Sequence, residues 1–256
     1  MTVESQDATS APTYQETFSL SRFTRNYATQ LGILGVFFAM WLFFIAAAPQ
    51  TFLSRQIYLA FMSTIPFFAI TAMPLTLAVI LGEMDLSFPS VMALGTVLFI
   101  FVFNATGSMA LGIAAGLATG FAAGLFNGAF VVWLGIPSLV VTIGTQYRWR
   151  GAVLLLVSGK GFSLVAARET CLYGALVGKI GEYVPMPMVW LVIITVATWV
   201  LLNRTRFGAH IYLIGDNEKT ARLMGVRVDR TRFLVFALVG TAAAFSGILA
   251  SLHVSY

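Results

Sequence analysis

The feature that most limits how this chain can fold is the run Leu31 to Ala48, eighteen consecutive residues without a charge. At about 1.5 Å per residue, a helix of that length matches a hydrocarbon core of roughly 30 Å. Comparable apolar runs recur at 57–81, 88–103, 109–134, 138–157, 186–202 and 233–254, separated by polar joints. Charge is too scarce for a water-exposed globule: 15 Lys+Arg and 10 Asp+Glu are spread over 256 residues. Most of the outside must therefore face lipid. Ala46 and Ala48 imitate a signal-peptidase site, but the run before them is longer than the usual ~7–15-residue signal core, so it reads as a span. The lone Cys171 excludes an internal disulfide framework and a cysteine-rich metal or iron–sulfur site.

The reading is an all-α polytopic bundle of about seven spans, with interrupted helices and a short cytoplasmic helix. Residues 1–30 are polar and lack apolar periodicity, so a mobile cytoplasmic tail is expected there, followed by a transmembrane domain over 31–256. Pro66 and Pro74 predict kinks in the second span. Ser87 is placed to cap the third span, with Pro89 in its first turn. In the fourth span Gly112, Gly116, Gly120, Gly124 and Gly128 recur every four residues, forming one smooth ridge for a neighbouring helix backbone. Arg148 and Arg150 fall inside the fifth run. A central arginine costs ~2.5–3.5 kcal/mol on the insertion scale, so that segment is expected to be interrupted or turned inward.

Seven of the 15 Lys+Arg residues lie in the joint 203–232, and Arg22 and Arg25 flank the first span. The positive-inside rule puts both regions in the cytoplasm, which six intervening crossings allow. The basic excess thus has a topological cause, and no basic module for nucleic acid is present. Soluble chemistry finds little support. Ser158-Gly159-Lys160-Gly161 lacks the first glycine and the metal-binding hydroxyl of a phosphate loop, and His210 and His253 have no sequence-evident partners. No catalytic set, metal ligand set or cofactor is expected.

Two joints carry functional signal. Between the second and third spans stand Glu83 and Asp85, readable either as hydrated carboxylates of an interfacial turn or as acids lining a pathway. In the basic joint, Asp216 or Asn217 can cap a short helix over 218–224, with Glu218 at its positive end and Gly225 just past its C-terminus. Ala221 and Met224 would give that helix a small apolar face, with Lys219 and Arg222 polar. Such a helix suits docking into a soluble partner or lying on lipid headgroups.

In order along the chain, these features resemble the membrane subunits of bacterial ATP-binding-cassette importers for monosaccharides, the ribose, xylose, arabinose and galactose permease type. Gly82-Glu83-Met84-Asp85-Leu86-Ser87 resembles that family's Gly-Gly-Ile-Asp-Leu-Ser element, and Gly124-Leu125-Phe126-Asn127-Gly128 its G-x-x-N-G. Ile136-Pro137, Thr142-Ile143-Gly144-Thr145 and Arg150-Gly151 resemble the next block. Thr205-Arg206-Phe207-Gly208, Tyr212, Ile214-Gly215, Asn217 and Ala221 to Val226 resemble the cytoplasmic coupling segment. The chain departs at Glu83 and Asp216, where the family usually has glycine, and at Phe88-Pro89, which replaces a typical Val-Gly. Family members continue for several more spans, so the expectation is that the sequence is truncated at its C-terminus.

The resemblance implies a permease subunit of the bacterial inner membrane, N-terminus cytoplasmic, that passes a sugar or polyol from a periplasmic binding protein. It would pair with a second permease subunit, and ATP would be used by partner ATPase subunits at the cytoplasmic face. Asp85, Ser87, Asn127, Thr142, Thr145 and Arg150 are the candidate pathway residues. Gly215, Asn217, Glu218, Ala221, Arg222 and Gly225 are the candidate coupling residues. The rival reading is an ion-coupled secondary transporter of a small polar solute using Glu83, Asp85 or Arg150. It requires an inverted repeat, and none is evident between the two halves.

Overall fold

The computed structural model describes residues 27–181 and 183–254. The tail expected over 1–30 falls outside them up to residue 26. The chain divides into two compact units, 1–57 and 58–256. The first contains α1 (Ala28–Ala47) and α2 (Pro49–Phe52), where Phe44 stacks on Phe52 at 5.3 Å. Its sequence is apolar on every side of α1, as suits a helix surrounded by lipid. The helix α3 (Arg55–Ile80) carries the chain into the second unit, whose further helices are α4 (Phe88–Thr106), α5 (Met109–Trp133), α6 (Ser138–Val157), α7 (Cys171–Val177), α8 (Met186–Arg204), α9 (Arg206–Asp216), α10 (Glu218–Leu223) and α11 (Val228–Val254).

The expected all-α polytopic architecture is what the structure shows. Among the described residues six helices, α1, α3, α4, α5, α8 and α11, are long and apolar enough to cross a membrane. The fifth expected span, 138–157, forms α6, which is 20 residues long but less apolar than these six. Of the two alternatives expected for it, an interruption or an inward turn, the interruption does not occur: α6 is continuous through Arg148 and Arg150. An arginine burdens the side chain and leaves the backbone hydrogen bonds intact, and a long stem can carry its charge to a better place. Arg148 lies 4.7 Å over the Phe126 ring, and Arg150 is exposed. Likewise α3 remains one helix through the buried Pro66 and Pro74.

The centre of the second unit is α5, packed between α4 and α11. Its glycine ridge explains how close these helices come. A β-carbon at Gly112 would lie 2.9 Å from Phe99 of α4, and one at Gly116 would lie 2.8 Å from both Gly95 O and Ile248. At Gly120 and Gly124 it would collide with the backbone carbonyls of Gly240 and Phe236 in α11. At Gly128 it would lie 3.1 Å from the Phe233 ring. Backbone therefore rests on backbone, which only small residues permit. From the far side of the bundle, Ser246 of α11 donates to Phe67 O of α3.

The mixed stretch after α6 forms a single 3-10 turn (Val165–Glu169), α7 and a small antiparallel pair, β1 (Lys179–Ile180) with β2 (Val184–Pro185), in which Ile180 faces Val184. Leu164, Ala167, Leu176 and Val177 seal one end of the bundle against Phe99, Phe103, Met109 and Leu252. The basic joint 203–232 lies at the opposite end. It contains a helix that hydrophobic spacing had not revealed: α9 is capped by Thr205, whose hydroxyl accepts from Gly208 N–H at 3.2 Å. A side chain at Gly208 would strike the carbonyls of Leu201 and Leu202, so glycine permits the tight turn from α8. Ile211 and Ile214 then bury against Leu77, Leu81, Val228 and Val235. Helix α11 begins five residues before the apolar run at 233. Its first turns are charged yet helical, because hydropathy marks the lipid boundary and not the helix boundary.

Candidate functional site at the charged end of the bundle

Two groups of residues meet where α3 ends and α11 begins. The first is the linker 81–87, hydrogen-bonded to residues of α5 and α6. Gly82, at φ +81, turns the chain out of α3. Met84 N–H donates to Ser138 Oγ at 3.0 Å, and Thr142 Oγ1 lies 3.3 Å from Met84 O and 2.8 Å from Ser138 O. Asp85 Oδ1 accepts from Ser87 N–H at 2.8 Å and from Ser87 Oγ–H at 2.7 Å. Asn127 Nδ2 donates to Ser87 Oγ at 2.7 Å. Asp85, Ser87, Asn127 and Thr142 are all buried, and Asn127 Oδ1 has no hydrogen-bond partner among the described residues.

The linker thus brings together four of the expected pathway residues, Asp85, Ser87, Asn127 and Thr142. Ser87 does occupy the cap position of α4, with Pro89 in the first turn, but its side chain makes no cap bond. The hydroxyl is instead committed to Asp85, two residues back, and to Asn127, a partner that only the tertiary structure supplies. Thr145 borders a different space, a cavity of about 290 Å³ with Phe126, Val141, Gly144 and Arg148. Arg150 lies exposed on α6, apart from the cluster. Removing the hydroxyl in Ser87→Ala takes a partner from both Asp85 and Asn127 in a buried setting, so stability is expected to fall by about 1–3 kcal/mol. Thermal melting in detergent checks this; an unchanged midpoint would show that the cluster contributes no net stability.

The second group is α10. Asn217 caps it, Oδ1 accepting from Thr220 N–H at 3.0 Å. Its C-terminus closes in a Schellman turn: Gly225, at φ +81, donates to Arg222 O and Val226 donates to Ala221 O, each at 3.0 Å. Ala221 is buried with Leu77, Ala78 and Ile211. The apolar face expected from Ala221 and Met224 is not formed. The helix stops at Leu223, the turn carries Met224 outward, and Leu223 and Met224 stand 89% and 65% exposed while Ala221 points inward. Gly215 sits so close to Ile80 O that any side chain there would collide with it, so α9 is pressed onto the end of α3.

Ion pairs join the two groups. Arg232 Nε is 2.8 Å from Glu83 Oε1, and Arg232 Nη2 is 2.9 Å from Glu218 Oε2. Arg222 Nη2 reaches Glu218 Oε1 at 3.0 Å and Asp229 Oδ1 at 2.6 Å. Partial burial of Glu218 disfavours its charge, but hydrogen bonding and the nearby charges of Arg222 and Arg232 outweigh that and hold its carboxyl below the ordinary glutamate value. Its pairing is therefore complete above that ordinary value and is lost as pH falls through the lowered one. Arg232 and Ser138 carry no sign of their roles in the sequence. Arg232 reads as one more positive-inside charge and Ser138 as a helix start. Among the described residues no group of His, Cys, Asp and Glu is arranged to hold a metal ion.

Comparison with known proteins identifies the family. The family described as "Branched-chain amino acid transport system / permease component" matches residues 57–256, which takes in the whole second unit. The autoinducer 2 import system permease protein LsrC of Shigella flexneri is 35% identical over 209 residues, 81% of this chain and 59% of that protein. The corresponding LsrD of Yersinia enterocolitica is 30% identical over 183 residues, and that of Salmonella typhi 28% over 184; each match covers 70% of this chain and 55% of the relative. The matched part of the chain thus spans a little over half the length of these relatives. No solved structure matches. The permease resemblance read from the 82–87, 124–128 and 205–226 motifs holds, and the chain belongs to this family of transport-system permease components.

Proposed function

We propose that this chain is the membrane-spanning permease subunit of an ATP-driven importer for a small polar solute, a sugar, a polyol or a compound like the autoinducer 2 named for its relatives. The N-terminus and the 203–232 joint lie in the cytoplasm, and the membrane is the bacterial inner membrane. A periplasmic binding protein delivers the solute, and a second permease subunit completes the pathway. ATP is consumed by a partner ATPase that docks on α10.

One observation carries this reading. Helix α10 has only 6 residues, yet it is capped at both ends, tethered by Glu218 and Arg222, and exposes Leu223 and Met224 to the outside. A short helix held this rigidly, offering two bare apolar side chains beside basic residues, suits a groove on a soluble protein. The linker cluster of Asp85, Ser87 and Asn127, with Thr142 beside it, supplies polar groups next to the bundle interior for a hydroxylated solute. Glu83 is neutralised by Arg232, which leaves it poorly suited to carry a coupling ion.

Uptake by cells expressing the permease with its binding protein and ATPase tests the proposal. Accumulation is expected to stop when the ATPase is inactivated and to continue when proton and sodium gradients are collapsed with ATP maintained. The reverse pattern would establish an ion-coupled secondary transporter.

A further inference from the structure

We infer that Arg232 is the joint through which movement of the coupling segment reaches the 81–87 linker, a positioning role that Glu83 and Glu218 complete from either side. This rests on the reading of α10 as the site of ATPase docking. Charge alternates along one continuous chain of contacts: Glu83, Arg232, Glu218, Arg222, Asp229. It grades from solvent to interior. The Arg222 and Asp229 side chains are 47% and 55% exposed, whereas those of Arg232 and Glu83 are 18% and 9% exposed. Screening weakens the outer pair and spares the inner one, so the inner contact is the one able to transmit force.

The geometry at Arg232 suits a joint. Its guanidinium uses Nε toward Glu83 and Nη2 toward Glu218, so one rigid plane addresses two carboxylates on different elements. The Glu83 contact is a charge contact and not an aligned hydrogen bond, which lets it tolerate rotation. On the linker side, the residue after Glu83 is fastened to α6 through Ser138 and Thr142, and the next acid is fastened to α5 through Ser87 and Asn127. A shift of α10 that carries Glu218 therefore draws Arg232 and Glu83 with it and moves Met84 and Asp85 against α5 and α6. Gly215 packed on Ile80 O provides a parallel, uncharged bearing where the same linker leaves α3.

The test uses the assembled importer, measuring ATP hydrolysis and solute uptake together. Glu83→Gln is expected to leave the ATPase bound and hydrolysing within about twofold of the parent while solute moved per ATP falls roughly tenfold, a difference of ~1.4 kcal/mol in coupling. Glu218→Gln is expected to lower the same ratio, and the double variant to fall no further than the worse single one, as parts in series do. Uptake per ATP within twofold of the parent in Glu83→Gln, or multiplicative losses in the double variant, would overturn the inference. Should Glu83→Gln fail to assemble, Arg232→Lys keeps the charge without the two-sided fork; an intermediate ratio supports the joint and an unchanged one sinks it. If the parent protein imports without any ATPase, the underlying reading of α10 fails instead, and the variants are not needed to show it.

Discussion

Leu223→Asp is expected to reduce capture of the partner ATPase by roughly thirtyfold, the equivalent of ~2 kcal/mol for a central interface residue. Leu223 is 89% exposed and its neighbour Met224 65%, so neither is needed to hold the bundle together. The helix itself remains fixed by Asn217, by the Gly225 turn and by the Glu218 ion pairs. A new carboxylate at its tip would be desolvated on docking without a partner, which is far worse than the loss of a leucine side chain. Pull-down of the ATPase with the purified permease measures the effect, and melting of the permease alone should not move. Lys219→Ala, on the same short helix, is expected to weaken capture only a few-fold, because exposed charges at an interface rim contribute little. Capture unaffected by Leu223→Asp would show that the ATPase docks elsewhere.

The second large effect is expected in the helix interface, where Gly124→Val should prevent a stable bundle. A β-carbon at 124 would lie 2.8 Å from Ala237 Cα and would overlap Phe236 O as well. Both are backbone atoms of α11, which cannot swing aside as a side chain can. Overpacking typically costs about 1–3 kcal/mol where neighbours can adjust, and the upper end or beyond applies when α5 and α11 must separate along their length. Gly144→Ala makes the contrast. It adds the same first carbon to a helix with nothing within 4 Å, and is expected to stabilise by about 0.5–1 kcal/mol through helix propensity alone. Melting midpoints of the two variants in one detergent decide the matter. Similar shifts for both would mean that the ridge on α5 is not a close-packed surface.

These two predictions also separate what sequence and tertiary structure contribute. The spacing of Gly112 to Gly128 at every fourth residue announces a smooth helix face before any coordinates are known, because 3.6 residues per turn put those positions on one side. It does not say which helix rests on that face. The structure assigns Gly112 to α4, Gly120 and Gly124 to α11, and Gly116 to both. The cap at Asn217 and the turn at Gly225 were likewise readable, since capping depends on residues within one turn of each other. The direction of Met224 was not, because it depends on where the helix stops.

What the sequence determined alone is what local spacing and transfer to lipid govern: the long apolar helices, the caps of α10 and the motifs that identify the family. Tertiary structure decided the rest. Ser87 could have capped its helix and Glu83 could have faced water; Asn127, 40 residues away, joins the nearby Asp85 in holding the first, and Arg232 at the start of α11 holds the second. A buried hydroxyl or carboxylate takes whichever partner the fold brings within reach, because leaving it unpaired costs more than any local preference can return. Pairings between distant residues are set by helix packing, and no window along the chain contains them.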